Sequence, residues 1–72
     1  MRIEFEGIYS GANGKRLLFT EGARVIRVKA DDVQNGVPSG SKVLVQIAGV
    51  KSVFSDYGDL RINADEVLVQ EL

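Results

Sequence analysis

The sequence predicts a single all-β domain over residues 1–72, a small closed barrel of five strands. Three observations carry this expectation. Val43, Val45 and Ile47 alternate with Lys42, Leu44, Gln46 and Ala48, and Leu60, Ile62 and Ala64 alternate with Arg61 and Asn63, the period of half-buried strands. Glycine-bearing turn signals divide the rest into short extended pieces, and no segment sustains a helical period. Five short, mostly antiparallel strands in so short a chain leave exposed edges, which closure removes.

The first strand is expected from Arg2 to about Tyr9, with Ile3 and Phe5 on one face and Arg2, Glu4 and Glu6 on the other. Gly7 interrupts it and reads as a bulge or bend. Ser10 to Gly14 reads as a loop built on the Asn13-Gly14 turn signal, and Arg16 to Thr20 as a short second strand. Glu21-Gly22 is a hairpin turn into a third strand from Ala23 to Ala30. That strand should turn Ile26 and Val28 inward and Val25, Arg27 and Lys29 outward.

Asp31 to Gly36 reads either as one short helical turn between strands 3 and 4, with an aspartate cap and an Asn-Gly stop, or as a loop. Val37 to Gly40 then delivers the chain into a long hairpin from Ser41 to Gln70 whose tip is Ser55-Asp56-Tyr57-Gly58-Asp59. Phe5 and Phe19 are assigned to the core, while Tyr9 fits either side.

Composition narrows the function. Without cysteine or histidine the chain has no disulfides, no thiolate or imidazole metal site, and no histidine base for a nucleophile. Nothing specifies a metal or another cofactor. Asp31-Asp32 and Asp65-Glu66 are adjacent carboxylates, but strand neighbours point to opposite faces and do not share a substrate, so no enzymatic activity is expected. No signal peptide or membrane span is read, and a reducing, cytoplasmic setting is the expectation.

The formal net charge is −1, which argues against coating nucleic acid by bulk charge. The distribution is uneven. From Lys15 to Lys29 five cations, Lys15, Arg16, Arg24, Arg27 and Lys29, face Glu21 alone.

The tail Gly58-Asp59-Leu60-Arg61-Ile62-Asn63-Ala64-Asp65-Glu66-Val67-Leu68-Val69, preceded by Gly49 to Phe54, resembles the fourth-to-fifth-strand hairpin of single-stranded-nucleic-acid-binding OB domains. With the Pro38-x-Gly40-x-x-Val43-x-Val45 entry it is also similar to the small single-stranded-DNA-binding proteins of filamentous phages. The resemblance implies an OB-like Greek-key barrel that binds single-stranded nucleic acid, DNA ahead of RNA, on the outer face of strands 2 and 3. Charge independently selects Lys15, Arg16, Arg27 and Lys29 there, with Lys51 and Arg61 flanking the hairpin tip. Phe54 and Tyr57 are candidates to stack on bases.

Each feature has a plainer reading. Phe54 could plug the barrel, Tyr57 could cover its turn, and the cations could protect a strand edge from aggregation. The rival function is a protein-interaction module, an inhibitor or adaptor using Leu18, Val25, Phe54 and Tyr57 as an apolar patch. Either a monomer or a homodimer is compatible with the pattern.

Overall fold

A computed structural model describes residues Met1–Leu72. Five strands, β1 (Arg2–Asn13), β2 (Arg16–Glu21), β3 (Arg24–Asn35), β4 (Lys42–Asp56) and β5 (Asp59–Glu71), close in the order β1-β2-β3-β5-β4. All neighbours run antiparallel except β3 and β5, which are parallel. The all-β closed barrel is consistent with a small OB-like fold.

Alternation fills the interior as expected. Leu17 and Phe19 from β2, Ile26 and Val28 from β3, Val43, Val45 and Ile47 from β4, and Ile62, Val67 and Val69 from β5 are buried, with no polar residue among them. Phe5 packs edge-on against Phe19 at 5.5 Å between ring centres, and Tyr9 joins the same cluster at 5.6 Å. Tyr9 is therefore a core residue.

Three expectations need correction. Residues 31–35 form no helical turn: they continue β3, because Asp32–Asn35 pair with Glu66–Val69 and the ladder takes the backbone groups that a helix would have used. Ser10–Asn13 are not a loop but the end of β1: Gly11–Asn13 pair with Arg16–Leu18 of β2, and Ser10 is the extra residue at a register shift between Tyr9 and Gly11. The ladder runs unbroken through Gly7, so that glycine is not a bulge.

Gly7 has a different physical reason. At Ile8, β1 passes from β4 to β2, pairing with both Lys42 and Thr20. A Cβ on Gly7 would stand 2.6 Å from the Thr20 carbonyl oxygen. Only glycine admits that approach.

The barrel turns a corner on three adjacent strands at once. Inward residues step from Ala30 to Val33 on β3, from Ala64 to Val67 on β5, and from Ile47 to Val50 on β4, a gap of three where a straight strand has two. The strain is taken up on β4, where Gly49 lies at φ +64° and the register shifts between Val50 and Ser52. Asp31 and Asp65 project at this bend, and Lys51 bridges them at 2.9 and 3.2 Å.

Candidate functional site

Register places the outward side chains of five strand segments in two rows. Leu18 faces Arg27, Arg27 faces Arg61, and Arg61 faces Phe54, with Gly11 at the far end beside Leu18. In the second row Asn13 faces Arg16, Arg16 faces Lys29, Lys29 faces Asn63, and Asn63 faces Ser52. The Asn63 amide donates to Ser52 Oγ at 2.9 Å, fixing that end.

These rows floor a groove of about 400 Å³, with the end of β1 as one wall. A second hollow of about 300 Å³ adjoins it, sharing Arg27 and Arg61 and reaching Phe54 and the β4–β5 tip. The two hollows meet at Arg27 and Arg61, which line both.

Adjacent strands lie ~4.8 Å apart, so Arg16 beside Lys29 and Arg27 beside Arg61 are two like-charged neighbour pairs. Such pairs oppose folding. Arg27 has a partial partner in Asp59 at 3.8 Å, a carboxylate already accepting the Val25 N–H at 3.1 Å. Arg16, Lys29 and Arg61 make no ion pair.

Edge protection does not account for Arg27 and Lys29. Edge protection requires an edge, and Ile26–Lys29 has β2 on one side and β5 on the other. Phe54 does not plug the barrel either, being 65 % exposed beside Arg61. Tyr57 covers nothing: its ring is fully exposed and its backbone is left-handed, φ +52°, in a two-residue turn with Gly58 at φ +86°. An L-residue there costs ~1–2 kcal/mol, so the turn holds that ring out at some expense.

Arg16, Arg27, Lys29, Arg61 and Phe54 thus line this channel of two hollows, with Tyr57 at its tip. Lys15 lies in the β1–β2 turn, where its carbonyl accepts from the Ala30 N–H, outside the channel lining. Lys51 is engaged elsewhere. Its hydrogen bond to Asp31 holds that carboxyl below its ordinary value of 3.8, and bonds to Asp31 and Asp65 raise the lysine above 10.5. Sequence reasoning passed over Ser10, Asn13, Asn63 and Ser52, which supply neutral donors and acceptors to the channel floor and neck. Asn63 was within reach, since it stands two residues from Arg61 on the same face of a strand.

No family model matches this chain, and no curated protein or solved structure gives a significant match.

Proposed function

We propose that this domain binds single-stranded nucleic acid along the channel, without sequence reading and without chemistry. The observation that carries the proposal is the stacking of two like-charged pairs, Arg16 with Lys29 and Arg27 with Arg61, on strand segments that each have a neighbouring strand on both sides. A row of phosphates offsets their repulsion and releases counterions as it binds.

Leu18 offers an apolar floor in the middle of the cationic surface, and Phe54 offers a stacking face at one end. A base can reach that ring only when it is not stacked in a duplex, which favours single strands. The domain measures 27 × 26 × 20 Å, sufficient for a site of about four nucleotides or more. DNA is placed ahead of RNA on the resemblance of the final hairpin to phage proteins.

The test is fluorescence anisotropy of a labelled oligo-dT at low and physiological salt. Saturable binding with a salt slope near −3, about 0.7 for each of four cations, supports the reading. Absence of binding at low salt by folded protein removes it, leaving Leu18, Phe54 and Tyr57 as a contact patch for a protein partner.

A further inference from the structure

The barrel is closed, but one strand outruns its closure. β4 pairs with β1 only as far as Ala48, and Val50 makes one last bond to the Met1 carbonyl. From Ser52 to Asp56, β4 has β5 on one side and no strand on the other. This free edge carries exposed Val53 and Phe54 and no proline; Lys51 and the β4 register shift lie just before it, and Asp56 is its one charge.

We infer that this edge pairs antiparallel with the same edge of a second copy, centred on Phe54. A two-fold axis perpendicular to a sheet requires some residue to face its own counterpart, because side chains on paired strands share a face. Centring on Phe54 uses the whole segment from Ser52 to Asp56 and nothing outside it. It sets Phe54 against Phe54 of the other copy, Val53 against Ser55, and Ser52 against Asp56.

The chemistry of that register is self-complementary. Each Asp56 carboxylate meets a serine hydroxyl that can donate to it, and no like charges face each other. Centring on Asp56 would oppose two carboxylates, and centring on Val53 would draw in Val50, whose N–H is already bonded to Met1. The aromatic pair at the centre adds a favoured cross-strand contact.

The two-fold puts both channels on the same side of one continuous sheet, joined through Arg61, Phe54 and their counterparts. If the domain binds nucleic acid as proposed above, the strand's footprint doubles. The pairing itself stands apart from that reading.

The natural absence of cysteine makes the register directly testable. Opposed residues lie ~4.5–5.5 Å apart, within disulfide reach, whereas Ser52 and its own counterpart stand about four strand residues apart, ~13 Å. Under mild oxidation Phe54→Cys should therefore form a covalent dimer alone. Ser52→Cys and Asp56→Cys should crosslink only when mixed with each other. Sedimentation equilibrium of the unmodified protein at high micromolar concentration should give twice the 7.8 kDa chain mass, and Val53→Lys should return it to monomer with native amide dispersion.

A monomer throughout overturns the inference, as does a dimer whose crosslinks follow another register. Oligo-dT titration of the Val53→Lys monomer separates the two readings: binding with half the wild-type footprint supports the dimer, while binding with an unchanged footprint overturns the shared face. Loss of all binding by wild type and variant alike counts against the nucleic-acid proposal alone.

Discussion

Replacing Lys29 and Arg61 together by glutamine should weaken oligonucleotide binding while strengthening the fold. Each is one member of a like-charged neighbour pair, and neither has a carboxylate partner. On a single strand each neutralised phosphate contributes about 0.7 to the salt slope, so the slope should fall from near −3 to near −1.4. At 0.1 M salt, relative to 1 M, each lost contact amounts to ~0.7 decade, and the double variant should bind about 25-fold more weakly. Relief of repulsion across two pairs is worth ~0.2–1 kcal/mol each, which raises the melting temperature by a few degrees in a domain of this size. Anisotropy against oligo-dT over a salt series, with calorimetry of the free proteins, reads both quantities. A lower melting temperature would show that these cations serve the fold, and an unchanged slope would show that phosphates do not lie over them.

Phe54→Ala should lose ~1–3 kcal/mol of oligo-dT affinity with the salt slope unchanged, a separation that titration at several salt concentrations detects. Gly7→Ala should destabilise the barrel by ~1–3 kcal/mol in chemical denaturation, because its Cβ meets the rigid Thr20 carbonyl. The Lys51 bridge should make stability depend on pH at both extremes. Asp31, lowered from 3.8, contributes above that value and loses its contribution as pH falls through its depressed pKa. Lys51, raised from 10.5, contributes below that value and loses it as pH rises through its elevated pKa. The difference in denaturation midpoint between wild type and Lys51→Met should therefore hold level between those limits and shrink beyond each; a flat difference at all pH values would refute the bridge.

The hairpin from Ser41 to Gln70 was legible because alternation on β4 and β5 is regular on either side of the corner. The corner itself was not. Asp31 and Asp32 stand where inward positions shift from even to odd numbers, so the apolar period breaks and the aspartates imitate a helix cap. Pairing with Glu66–Val69, more than thirty residues away, decides the matter, and no local pattern reports it.

The same divide runs through the candidate site. Arg16, Arg27 and Lys29 emerged from charge and alternation because they lie on neighbouring strands joined by a short turn. The pairing of Lys51 was not legible, because its partners, Asp31 and Asp65, are distant in sequence and meet it only where the barrel bends. Asn63 and Ser52 carry no charge to draw notice. Only register shows that they complete a row with Arg16 and Lys29.

The order β1-β2-β3-β5-β4 also fixes when the barrel can exist. Through Asp56 the chain can assemble only an open ribbon, β3-β2-β1-β4, whose two outermost strands both await the same partner. β5 is the stave that fits between them, and it joins β3 in parallel and β4 in antiparallel fashion. During synthesis, therefore, Ile26, Val28, Val43, Val45 and Ile47 lie on a half-made surface until the following thirteen-residue strand has emerged. Closure then pairs residues far apart in the chain, which sets folding on the millisecond-to-second scale of small β-barrels and makes the interval before it the period of greatest exposure to aggregation.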